Sequence, residues 1–243
     1  MKDVKGVIIP LVSLDDENLI KLLDYVSSVD FVFVLGSTGE FDKQTDSEKE
    51  RIVKTTLEHS KKPILVGCSD KDSDKVIKNI NKFSEAYALV VAPNPNEDVS
   101  EFYDKILENT SEDILLYNNP GNPAIGQSIP FEVIERLSKH ERIIGIKDSM
   151  GDINFFKRLL ELKSENFRVL QGDETLYLES LKLGADGIVS STANLDPELL
   201  MDLFNKREEE LQEKLNSLHF MYKNSEKPVD GLKNEMKKRG IIR

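Results

Sequence analysis

The stretch Ile143-Ile144-Gly145-Ile146-Lys147-Asp148-Ser149 decides how this chain folds. An apolar run that does not alternate with polar residues marks a strand buried on both faces, the habit of parallel sheets. Seven further runs of the same kind lie outward from it, at residues 7–9, 31–35, 64–66, 88–91, 114–116, 168–170 and 187–189. Successive runs begin 19 to 33 residues apart, the length that a strand and a crossover helix require.

The segments between the runs read as helices. Leu19, Leu22, Leu23 and Val26 fall at i, i+3, i+4 and i+7, which makes one apolar stripe and turns Lys21 and Asp24 outward. Thr45 with Glu48 forms a capping box ahead of a charged helix through Arg51 and Glu58. Asp196-Pro197 supplies an N-cap and a first-turn proline, and Gly240 closes the last helix.

Eight such units with no linker between them predict one closed (β/α)8 TIM barrel over residues 1–205. An open dinucleotide-binding sheet would need a glycine-rich turn after the first strand, where this chain has Pro10-Leu11-Val12-Ser13-Leu14. Residues 206–243 hold two more helical stretches and no strand, so they read as a short helical appendage packed on the barrel.

The 243 residues carry 33 basic and 44 acidic side chains, a net charge of −11. Polyanionic nucleic acid and anionic membrane surfaces need clustered Lys and Arg, so small soluble partners are expected instead. The single cysteine, Cys68, cannot form an internal disulfide, and no apolar stretch approaches the ~20 residues of a membrane span. The start of the chain lacks the apolar core of a signal peptide, which gives a cytoplasmic reading.

Barrel active sites are built after the carboxyl ends of the strands. There the sequence places Gly36-Ser37-Thr38-Gly39-Glu40, Tyr117-Asn118-Asn119-Pro120, Lys147-Asp148-Ser149, Gly172-Asp173-Glu174 and Ser190-Ser191-Thr192. Lys147 follows an apolar run, where poor hydration disfavours the ammonium and favours a nucleophilic amine. The residues alone leave open a structural ion pair with Asp148 or Asp173. Tyr117 is either a proton shuttle or a core aromatic, and Gly36–Gly39 either a carboxylate nest or an ordinary turn. His59, His140 and His219 stand far apart and away from the strand ends, so no metal ligand set is expected. Cys68 reads as a packing residue.

Taken together, GSTGEF (36–41), YNNP (117–120), GIKDS (145–149) and GADGIVSSTANL (184–195) resemble the dihydrodipicolinate synthase/N-acetylneuraminate lyase family, to about Leu200. The resemblance implies a lyase that joins Lys147 to a 2-oxo acid as a Schiff base, without a metal or another cofactor, and a homotetramer. It implies Tyr117 as the proton relay, Thr38 as that tyrosine's hydrogen-bond partner, and Ser37 with Thr38 as the carboxylate holders. Ser149, Gly172, Glu174 and Ser190 match positions that contact sugar-chain hydroxyls in related aldolases.

Departures from the family pattern indicate the branch. The fourth-strand loop reads Ala92-Pro93-Asn94-Pro95-Asn96 without the usual tyrosines, and Gly121-Asn122-Pro123 stands where synthases carry a carboxylate-binding arginine. Lys147-Asp148-Ser149 and Gly172-Asp173-Glu174 are similar instead to the archaeal-type 2-keto-3-deoxygluconate aldolases. The expected reaction is reversible cleavage of that sugar acid to pyruvate and glyceraldehyde, the partners being a small 2-oxo acid and an aldehyde. Residues 94–99 contain no base, which gives an expected preference for the non-phosphorylated acid. Alternatives are a synthase or sialic acid lyase of the same family, distinguished by the acceptor, or a non-catalytic 2-oxo acid binding protein, distinguished by zero turnover.

Overall fold

The computed structural model describes residues 2–122 and 127–243. Its centre is a closed ring of eight parallel strands in chain order: β1 (Gly6–Pro10), β2 (Phe31–Val34), β3 (Ile64–Gly67), β4 (Ala88–Val91), β5 (Ile114–Asn118), β6 (Ile143–Asp148), β7 (Arg168–Gln171) and β8 (Gly187–Val189). β8 pairs with β1 in the register Gly6↔Gly187 and closes the ring. Every residue of β1, β2, β4, β5, β6 and β8 is buried. That is why the runs carry no alternating pattern: barrel filling takes one face and the outer helices take the other.

Eight helices lie outside the ring: α1 (Asp16–Tyr25), α2 (Asp46–His59), α3 (Ser73–Lys82), α4 (Val99–Asn109), α5 (Phe131–Leu137), α6 (Ile153–Leu160), α7 (Tyr177–Lys182) and α8 (Pro197–Lys206). In α1, Leu19, Leu22 and Leu23 are buried while Lys21 and Asp24 face solvent. Thr45 and Glu48 form the reciprocal capping box of α2, and Asp196 accepts from the Leu199 amide at the start of α8. No helix among the described residues is long and apolar enough to cross a membrane.

Two strands run further than their apolar cores. β5 continues through Tyr117 and Asn118, and β6 through Lys147 and Asp148. These polar ends pair with one another, Tyr117↔Lys147 and Asn118↔Asp148, so Lys147 sits within the ladder rather than after it. β2, in contrast, stops at Val34, because Leu35 adopts a left-handed backbone (φ 57°) that turns the chain into Gly36.

After α8, α9 (Glu209–Lys223) and α10 (Pro228–Lys238) fold back over the carboxyl ends of the strands. Leu211, Leu215 and Tyr222 form the buried stripe of α9, and Gln212 beside it receives the Leu178 amide and donates to the Glu174 carbonyl. Lys233 of α10 pairs with Glu40 at 3.1 Å, which ties the tail to the loop after β2.

The β5–β6 register shifts between Ile114 and Leu115, so that Leu115 faces Gly145. A Cβ on Gly145 would stand 2.4 Å from the Arg168 carbonyl oxygen of β7, so only glycine fits between the strands there. Gly145→Ala is expected to lower the unfolding free energy by about 2 kcal/mol or more, read from urea denaturation.

Candidate functional site

A cavity of about 750 Å3 opens at the carboxyl ends of the strands, beneath α9 and α10. Lys147, Tyr117, Ser37, Thr38, Ser149, Gly172 and Glu174 all line it. Its size suits a sugar-acid-sized molecule.

Lys147 is only 6% exposed. Its Nζ stands 4.2 Å from the centre of the Tyr117 ring and 5.5 Å from that of Phe33. It pairs with neither Asp148 nor Asp173, which answers the structural alternative left open by the sequence. Successive residues of a strand face opposite ways, and the Asp148 carboxylate accepts from Asn118 Nδ2 at 2.5 Å instead. Asn118 Oδ1 in turn accepts from the Ile129 amide at 3.0 Å. Gly172 leaves room for the lysine: a Cβ there would lie 2.8 Å from Lys147 Cε and 2.1 Å from Ser149 Oγ.

The Tyr117 hydroxyl accepts from Asn119 Nδ2 at 2.7 Å and stands 3.3 Å from Ser37 Oγ. Burial pushes the phenol up, but the Lys147 charge and the hydrogen bonds of Ser37 and Asn119 outweigh it and hold Tyr117 below its ordinary value. Ser37 Oγ also accepts from Asn122 Nδ2 at 2.6 Å.

The hydroxyl pair is therefore wired differently from the expectation. Thr38 was expected to bond the tyrosine, but its Oγ1 is 2.7 Å from Ser191 Oγ, and Ser37 is the tyrosine's neighbour. Leu35, with a left-handed backbone, begins the turn that carries both hydroxyls. The amides of Thr38 and Gly39 make no hydrogen bond within the described residues, and Thr38 lines the cavity.

Other expectations fall differently. Ser190 is fully buried and does not line the cavity; Ser191 does. Glu174 reaches the wall but is 5% exposed, its carboxylate already accepting from the Thr192 amide at 3.1 Å and from the Thr192 hydroxyl. Cys68 is buried and its thiol is pushed well up by desolvation. Residues 94–99 do not line the cavity, whereas Lys43, bound to Glu40, and Lys223 of α9 do. Pro123, in the loop that lacks an arginine, lies outside the described residues.

The reading of the strand ends missed α9. His219, expected to lie away from the site, lines the cavity, with its Nδ1 3.2 Å from Glu174 Oε2 and 3.3 Å from the Tyr222 hydroxyl. The available signal was Gln212 and His219, seven residues apart on one flank of the buried stripe of α9.

A sequence-family model, the dihydrodipicolinate synthetase family, matches residues 12–243. The chain is 31% identical over 220 residues to 4-hydroxy-tetrahydrodipicolinate synthase 2 of Clostridium acetobutylicum, covering 84% of this chain and 76% of that protein. It is 36% identical over 186 residues to the 2-dehydro-3-deoxy-D-gluconate/2-dehydro-3-deoxy-phosphogluconate aldolase of Picrophilus torridus, covering 72% and 68%. The solved 2-keto 3-deoxygluconate aldolase from Picrophilus torridus superposes with a TM-score of 0.87 at 29% identity, covering 97% of this chain and 93% of that one.

Burial raises the Asp148 carboxyl to about 7, against the opposing hydrogen bond from Asn118. The folded chain therefore binds this proton more tightly than the unfolded chain, and its contribution to stability, full below about pH 4, is lost as the pH rises through about 7. Asp148→Asn keeps the neutral shape and removes the titration. In urea denaturation across this range, the variant should gain stability relative to the unmodified protein as pH rises, by up to ~1.4 kcal/mol per unit.

Proposed function

Because the chain belongs to the dihydrodipicolinate synthetase family, we propose that this lyase is a Schiff-base aldolase that reversibly cleaves 2-keto-3-deoxygluconate to pyruvate and glyceraldehyde. The observation that carries this reading is Lys147, buried in the cavity without a carboxylate partner and lying across the ring of Tyr117. In the proposed reaction the amine form of Lys147 attacks C2 of the keto acid, and water leaves as the iminium forms. The Tyr117 phenolate takes the proton of the C4 hydroxyl. The C3–C4 bond then breaks, its electron pair passes into the iminium to give an enamine, and the aldehyde departs. Protonation at C3 and addition of water to C2 release pyruvate and return the amine. A cation beside Tyr117 favours the phenolate, and the iminium keeps that cation in place through the bond-breaking step.

Ser37, Thr38 and the free amides of Thr38 and Gly39 would hold the keto-acid carboxylate and turn C2 toward Lys147. Ser149 and Gly172 would border the sugar chain. The synthase reading is favoured by the name of the Clostridium relative. Against it, no arginine lines the cavity among the described residues, which leaves a dicarboxylate product without a bidentate partner.

Lys147→Ala should abolish aldol cleavage of 2-keto-3-deoxygluconate, and Tyr117→Phe should lower kcat at least 100-fold. Cleavage near the unmodified rate by either variant would contradict the mechanism. The base-free loop at 94–99 no longer supports discrimination against the 6-phosphorylated acid, because Lys223 stands at the cavity instead. Comparing kcat/KM for the two acids, Lys223→Ala should lower the value for the phosphorylated acid by tenfold or more relative to the plain acid.

A further inference from the structure

The sequence points to Glu174 as a residue that meets the substrate, yet the fold has spent its carboxylate. Oε1 accepts from the Thr192 amide at 3.1 Å, Oε2 takes the Thr192 hydroxyl, and His219 Nδ1 stands 3.2 Å from Oε2. Burial pushes the Glu174 carboxyl up, but His219 and these hydrogen bonds outweigh it, so the group stays an anion within the wall. An anion so placed fixes a histidine in one tautomer: the Nδ1 proton points at the carboxylate, and Nε2 is left on the other edge of the ring. His219 Nε2 has no hydrogen-bond partner among the described residues, and the side chain lines the cavity at 12% exposure. The Phe220 and Tyr222 rings pack edge-on against the imidazole at 5.6 and 5.5 Å between centres and restrain its orientation.

The ring is also held along the length of α9. Gln212, two turns earlier, binds the Leu178 amide and the Glu174 carbonyl, so the helix that carries His219 and the turn that carries Glu174 move as one piece. Lys147 and Tyr117 come from β6 and β5, whereas Glu174 and Thr192 follow β7 and β8. The histidine thus reaches the same cavity from α9, an element that carries neither reacting group.

We propose that His219, oriented by Glu174, is a specificity-determining residue that binds a hydroxyl of the departing or incoming aldehyde through Nε2. This rests on the aldolase reading above and deepens it by naming the side chain that selects an aldehyde bearing a hydroxyl beyond its carbonyl. With Nδ1 protonated toward Glu174, a neutral ring accepts the hydroxyl proton and a charged ring donates to the hydroxyl oxygen. Either form recognises a hydroxyl, and neither gains from an alkyl chain. Glu174 acts through the ring as a positioning residue.

The test measures aldol addition of pyruvate to glyceraldehyde and to propanal, and takes the ratio of the two kcat/KM values. The ratio does not depend on how much of a preparation is folded. His219→Ala should lower the glyceraldehyde-to-propanal ratio at least tenfold, and His219→Gln, which retains both an acceptor and a donor, should recover most of it. Glu174→Gln, which cannot hold the Nδ1 proton as an anion does, should give an intermediate ratio. A ratio within twofold of the unmodified protein in His219→Ala would overturn the assignment while leaving the aldolase reading intact. Failure of the unmodified protein to add pyruvate to either aldehyde would overturn both.

Discussion

The pairing of β5 with β6 is the constraint on which the site depends. One register places Tyr117 against Lys147 and Asn118 against Asp148. Because side chains alternate across a strand, the first pair meets in the cavity while the second is locked behind it by the Asn118–Asp148 hydrogen bond. A slip by one residue would exchange these roles, bringing a carboxylate into the cavity and burying an ammonium outside it. Gly145, opposite the register shift of β5, permits the close approach of β6 to the Arg168 carbonyl of β7. Structure and chemistry here are one arrangement: an amine held close to a phenol, with no carboxylate to neutralise it.

The charge of the site follows from that arrangement. The chain carries a net charge of −11, yet under the proposed function its cavity takes an acid. Local groups resolve this. The free amides after β2 and the hydroxyls of Ser37 and Thr38 offer hydrogen bonds without charge, and Lys147 supplies the cation. Tyr117 is held low by the same cation, so in the proposed reaction one buried charge would serve both anion binding and proton transfer.

The barrel was legible because its signal is local and repeated: eight short apolar runs at the spacing of a β-α unit. Lys147 and Tyr117 were visible for the same reason, since each follows directly on a run, and Ser37 and Thr38 come just after, past Gly36. What the sequence hid depends on backbone twist or on distant contacts. Which of Ser37 and Thr38 meets the Tyr117 hydroxyl depends on the shape of the turn after β2, which a pattern of residue types does not reveal. The burial of Glu174 and the arrival of His219 go with α9 folding back over the strand ends, through contacts such as His219 with Glu174, 45 positions apart. Composition gave no sign of it, because a histidine on an amphipathic helix looks the same whether it faces solvent or a cavity.

Incubating the protein with pyruvate, reducing with borohydride and mapping the modified peptide by mass spectrometry would show whether Lys147 is the nucleophile that joins the 2-oxo acid. One pyruvyl adduct per chain, on Lys147, is the expected result; no adduct, or an adduct on another lysine, would rule out Lys147 as that nucleophile.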